Sequence, residues 1–188
     1  MARKTKQDWL IAGTELLLEN GAQSLTIDAL LQRVGKTKGS FYHHFKSYDG
    51  YIAHFLEYFE REGTLQIIEL VDQEPTPQQR LHKLISVITS YPSALEAAMR
   101  AWAFQDERVW QVFERVDQQR VAYVQAQFRP IVQDDRYALT LARTLYAILV
   151  GSEHMLPPVS NAEQRAMFNS FLGQFGVPPQ VVSIATSD

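Results

Sequence analysis

The sequence predicts an all-α protein: a small three-helix head at the N-terminus and a larger helical body, about nine helices in all. Three observations carry that expectation. Apolar residues recur at spacings of three and four in one segment after another. Capping signals and Gly or Pro breaks separate those segments. No stretch alternates apolar and polar residues convincingly enough to make a strand. The expected division is residues 1–47 for the head and 48–188 for the body.

Thr5 opens the first helix, with Asp8 three residues on as its capping partner. Trp9, Ala12, Gly13, Leu16 and Leu17 make one apolar face. Asn20-Gly21 ends the helix, since glycine takes a left-handed cap without steric cost. Thr26 starts a second helix that turns Ile27, Leu30, Leu31 and Val34 inward. Gly35 supplies a tight turn. Two short helices joined through a glycine turn outline a helix-turn-helix.

The segment after that turn is Thr37-Lys38-Gly39-Ser40-Phe41-Tyr42-His43-His44-Phe45. A short basic helix rich in hydroxyls is poor core material and suits a DNA groove. The Thr37 hydroxyl is placed to cap the helix. The helix start also attracts a phosphate, through its partial positive charge and free N–H groups. Lys38 adds a full charge. Gly39 costs about 1 kcal/mol of helix propensity relative to alanine, which suggests that something must come close. Ser40 and Tyr42 offer hydroxyls, and His43 and His44 offer ring donors. Phe41 either touches a thymine methyl or packs inward. Phe45 closes the core beneath.

Thr26 to Phe45, and in outline residues 9–60, resemble the DNA-binding head of the TetR family of transcriptional regulators. The segment from Thr37 to Phe45 after Gly35 carries the likeness, with Ala12, Leu16, Gly21 and Thr26 in support. The resemblance implies contact with double-stranded DNA through Thr26, Lys36, Thr37, Lys38, Gly39, Ser40, Phe41, Tyr42, His43, His44 and Lys46. It also implies a homodimer and a helical effector-binding and dimerisation body. Two positions depart from the family. Lys36 stands where an apolar residue, commonly valine, is usual, and faces solvent or phosphate. Tyr48 stands where a lysine commonly touches the DNA backbone, and Lys46 is the candidate to replace that charge.

Ser47 caps a long helix over about 48–72, with Tyr51, Ile52, Phe55, Phe59, Leu65 and Ile68 as its apolar stripe. Gly63 within it is a flexible point or a close contact. Thr76-Pro77-Gln78-Gln79 starts the next helix, with proline at the first helical position. Tyr91-Pro92 breaks the chain, Ser93 and Glu96 restart it, and helices over 93–105 and 107–131 follow, the second ended near Arg129-Pro130. Residues 135–156 are apolar on more than one face, so that helix should be buried on two sides. Pro157-Pro158 stops it, and Ser160 with Glu163 caps the last helix. Leu141, Leu145, Ile148, Phe168, Phe171, Leu172 and Phe175 are the expected dimer interface, as a four-helix bundle with a second copy. Arg100, Trp102, Phe104, Trp110, Phe113 and Tyr146 are the expected effector pocket, against the plainer reading that they are ordinary core. The tail from Gly176, with Pro178-Pro179, is expected to form a loose cap.

Charge is uneven. Residues 1–50 carry seven Lys/Arg and five Asp/Glu, a balance of +2, so the remainder carries −5 of the total −3. A basic head on an acidic body fits a nucleic-acid contact at one end. No cysteine is present, which excludes disulfides and thiolate metal sites. No apolar run reaches the roughly 18 residues of a membrane span. A cytoplasmic location is expected. Glycine-rich phosphate loops, nucleophile elbows and His-Glu zinc motifs are absent from the sequence. Glu153-His154 reads as a helix-end pair before a ligand or metal contact. The expected protein is therefore not an enzyme and takes no cofactor or metal. It is a ligand-responsive repressor that binds a palindromic operator as a homodimer. The alternatives are a DNA-binding dimer without a small-molecule effector, or an activator.

Overall fold

The computed structural model describes residues 5–90, 94–157 and 159–177, and all regular structure among them is helical. The head holds α1 (Lys6–Asn20), a 3₁₀ turn (Ala22–Ser24), α2 (Ile27–Val34) and α3 (Lys38–Phe45). α4 (Tyr48–Glu60) runs through a π-helical turn (Arg61–Leu65) into α5 (Gln66–Val71). The remaining helices are α6 (Pro77–Ile88), α7 (Ala94–Ala103), α8 (Glu107–Val132), α9 (Asp135–Glu153) and α10 (Asn161–Gly173). With 48–71 taken as one helix there are nine among the described residues. None is long and apolar enough to cross a membrane.

The caps explain where the helices begin. Thr5 with Asp8, and Ser160 with Glu163, form complete capping boxes. Thr26, Ser47, Thr76 and Asp134 each accept a backbone N–H from the first turn that follows. Gly35 takes the left-handed conformation at the end of α2 (φ 69°, ψ 42°). α8 runs past its expected end, with Pro130 inside its last turn, and stops where Gln133 turns to φ 55°. Gly63 falls in the π turn, where one residue too many is accommodated in the helix. The breaks and cap expected at Tyr91, Pro92, Ser93 and Pro158 lie outside the described residues, as does the tail from Pro178; Val177, at the start of the expected loose tail, is buried in the second unit's core instead.

By contact, the chain forms two compact units: residues 1–66 with 92–118, and 67–91 with 119–188. The head thus shares a unit with α4, α7 and the first half of α8. Trp9, Leu17, Phe41, Phe45, Tyr51, Phe55, Phe59, Trp102 and Phe113 belong to one apolar core. The second unit centres on Leu81, Phe128, Leu141, Leu145, Phe168 and Leu172. The residues expected at a dimer interface lie in and around this second core. Leu141, Leu145, Phe168 and Leu172 are buried within the single chain, while Ile148, Phe171 and Phe175 are half-buried at its edge.

Candidate nucleic-acid interface

α3 is an eight-residue helix with two unlike faces. Phe41 (0% exposed) and Phe45 point into the core. Their rings lie 5.5 and 6.3 Å from Trp9 and 5.7 and 5.0 Å from Tyr51. Edge-on aromatic packing of this kind adds to the burial itself. Phe41 therefore packs inward, and its side chain is not available to a thymine methyl. On the other face Thr37, Lys38, Gly39, Tyr42, His43 and Lys46 are exposed, and Lys36, Ser40 and His44 are half-buried. Thr26, the cap of α2, is also exposed.

Thr37 occupies the capping position of α3, but its hydroxyl makes no capping bond. The cap expected from sequence is backbone only, so the hydroxyl and the first N–H groups of α3 face outward. Lys38 forms an exposed pair with Asp28 at 3.4 Å, a contact that solvent and salt weaken. Lys46 ends α3 at φ 65°, with Nζ donating to the His43 carbonyl at 3.4 Å. No acidic residue lies between Thr37 and Lys46. His43 and His44 have neighbouring rings, with centroids 5.4 Å apart. Among the described residues no His, Asp and Glu cluster of three or more is arranged to hold a metal ion.

The helix-turn-helix is braced from behind. Arg33 on α2 pairs with Glu15 (3.0 Å) and Glu19 (2.5 Å) on α1, and its hydrogen bond lowers the Glu19 carboxyl below its usual range. Gly13 lets α4 come close: a Cβ there would lie 1.9 Å from the Tyr51 hydroxyl, which donates to the Trp9 carbonyl at 3.3 Å. Gly50 has the same role in the α3–α4 turn, where a Cβ would lie 2.2 Å from the Phe45 carbonyl. Gly39 differs. A Cβ there would meet nothing nearer than Thr37 Oγ1 at 3.8 Å, so nothing inside the fold requires glycine.

Sequence reasoning missed two braces. Tyr48 turns inward and donates to the Leu25 carbonyl at 2.5 Å, just before the α2 cap. Burial raises its phenol above the ordinary value, and Arg108 partly offsets this. Arg108, at the start of α8, pairs with Asp106 and with Asp49 on α4, each at 2.7 Å. An Arg flanked by acids in sequence signals a local pair, but nothing in the sequence points to Asp49.

The residues expected to line an effector pocket are dispersed. Trp102 and Phe113 are buried in the first core, Trp102 with its ring 6.1 Å from Phe55 and Phe113 with its ring 5.2 Å from Phe59. Arg100 lies over Phe113 at 4.9 Å and pairs with Glu96 and Asp117, both at 3.0 Å. Phe104 and Trp110 are on the surface instead. Tyr146 belongs to the second unit, where Arg120 donates to its hydroxyl at 3.3 Å. His154 ends α9, its ring nitrogen 2.8 Å from the Val150 carbonyl.

A short basic helix anchored by aromatics on one side and open on the other, after a glycine turn, has the arrangement of a helix-turn-helix. Comparison with known proteins places it further. Residues 10–50 match the sequence model of bacterial regulatory proteins, tetR family. No curated protein matches the sequence. Among solved structures, a transcriptional regulator of the TetR/AcrR family shares the fold with a TM-score of 0.76 at 19% identity, over 90% of this chain and 97% of that one. A TetR-family regulator from Streptomyces coelicolor gives 0.74 at 17%, over 92% and 87%. NemR from E. coli, in its reduced form, gives 0.72 at 17%, over 95% and 100%. Residues 10–50 thus match the sequence model of bacterial regulatory proteins, tetR family, and the chain shares its fold with solved TetR-family regulators.

Proposed function

We propose that this DNA-binding regulator is a homodimeric repressor. It binds a palindromic operator and releases it when a small molecule occupies the helical body. The observation that supports this best is the one-sided α3, with Phe41 and Phe45 fixed below and Thr37, Lys38, Gly39, Tyr42 and His43 free above. In this reading the start of α3 enters the major groove. Lys38 and Lys46 neutralise phosphates, and Thr26 presents the start of α2 to another phosphate. Lys36, Ser40 and His44 contribute at the edge. The absent side chain of Gly39 leaves room for the DNA. Two copies present two such tips to half-sites about one helical turn, or a small multiple, apart.

The face proposed for the second copy is what the single chain leaves exposed on α9 and α10: Thr140, Thr144 and Ala147 on one, Ala166, Met167 and Ser170 on the other. Small side chains there permit close helix approach, and Ile148, Phe171 and Phe175 flank them. Selection of bound sequences from random DNA is expected to return a palindrome. Ala147→Glu is expected to yield folded monomers in sedimentation and to weaken operator binding steeply. A wild-type protein that stays monomeric, or a selection that returns no repeated half-site, overturns the dimer reading.

The close packing of Trp102 and Phe113 favours a second reading, a DNA-binding dimer controlled by a protein partner or not controlled at all. A ligand screen for operator release distinguishes the two. Release by a compound that also co-purifies in native mass spectrometry supports the first reading. Activation in place of repression would appear directly in a promoter–reporter assay.

A further inference from the structure

The corner between α7 and α8 exposes two large aromatic side chains that the proposed function does not use. Phe104 is 78% exposed and Trp110 46%, and their ring centroids lie 5.8 Å apart with planes at 59°. Each large ring left in water forgoes the gain of burial. Elsewhere in this unit the tryptophans Trp9 and Trp102 are buried. Glu107 and Glu114 stand three residues before and four after Trp110, on the same helical face, and both are exposed. Gln111 donates to Glu107 at 3.2 Å. Arg108 is engaged by Asp106 and Asp49, and Arg115, next after Glu114, is engaged by Glu60. Residues 104–114 contain three acids and one base, a balance of −2.

We infer that this corner is a docking surface for an arginine-bearing basic segment of a partner protein. A guanidinium stacks on an indole and a phenyl face while a carboxylate takes its N–H groups. The two carboxylates are seven residues apart on one helix, about 10 Å, so successive basic residues of an extended peptide reach both. The open geometry argues for a peptide over a free cation. One cation–aromatic contact at an exposed site is weak on its own. Several linked contacts reach useful affinity by raising the effective concentration of each. The inference does not depend on the operator reading.

The test is anisotropy of a fluorescein-labelled arginine–serine repeat peptide titrated with full-length protein at low and moderate salt. Wild type is expected to bind saturably. Phe104→Ser, Trp110→Ser and the pair Glu107→Gln with Glu114→Gln are each expected to weaken binding by about threefold or more. Thermal melting of Phe104→Ser should match wild type, because the ring is almost wholly exposed. Glu57→Gln with Glu69→Gln, the same charge change elsewhere, should leave affinity within about twofold. Equal weakening by that control would mean diffuse attraction to an acidic protein and would overturn the inference. So would displacement of the peptide by arginine amide or tetramethylammonium at matched cation concentration, or unchanged affinity in Phe104→Ser.

Discussion

Gly13 and Gly39 both interrupt helices with a residue that weakens them, and the reasons are opposite. At Gly13 the missing side chain is filled from within, by the Tyr51 hydroxyl and the Phe55 ring. Gly13→Ala is expected to destabilise the protein by about 1–3 kcal/mol, read as a shift in the urea midpoint. At Gly39 the fold leaves open space. Gly39→Ala should stabilise the free protein by up to about 1 kcal/mol and yet weaken operator binding. A variant that gained stability and kept full affinity would show that DNA does not approach that atom. Tyr48→Phe removes the hydrogen bond to the Leu25 carbonyl and should cost about 1 kcal/mol in the same urea assay. The oddity of Gly39 was legible in sequence, because a glycine in a helix without a capping role needs a reason. The inward turn of Phe41 and the role of Tyr48 were not. Both depend on which distant residues lie beneath, and no local pattern encodes that.

Helix boundaries were the most legible feature at the scale of elements, because hydroxyl caps, glycines and prolines act within a turn of their own position. Thr5, Thr26, Ser47, Thr76 and Ser160 all start helices as their sequence context indicates. The assignment of faces was less legible. Periodicity tells that Leu141, Leu145, Phe168 and Leu172 are buried, but not whether the burying atoms belong to the same chain. Ion pairs between elements were not legible at all. Arg115 on α8 holds Glu60 at the end of α4 at 2.6 Å, and that bond keeps the Glu60 carboxyl below its ordinary value near 4.5. A carboxyl with a lowered folded pKa stabilises the fold above about pH 4.5, and the benefit fades as pH falls through the folded value. Glu60→Gln should therefore lower the melting temperature at pH 7 and lower it by less at pH 3. An equal deficit at both pH values would mean that the loss is one of packing and not of charge.

The charge division along the chain, +2 over residues 1–50 and −5 over the rest, bears on the proposed operator binding. Operator affinity is expected to fall steeply with salt, by about 0.9 in log K per log salt for each phosphate neutralised. Lys46→Ala should make that slope shallower by about one phosphate contact, whereas Tyr48→Phe should weaken binding without changing it. A wild-type slope unaffected by Lys46→Ala would remove Lys46 from the phosphate contacts. The division of the fold into units was the part that sequence indicated least. A boundary near residue 47 follows from where the motif stops, but the first compact unit also takes in 92–118. That unit is stitched from two stretches of chain, and a ribosome delivers them in order. A nascent head that has just emerged still lacks Trp102 and Phe113, the walls against which Phe55 and Phe59 rest. Chains stalled before residue 118 should be cut readily by protease in the first sixty residues, and chains stalled well beyond it should resist. The reading head of this molecule is thus among the first parts to be made, yet it must wait for later residues before it is complete.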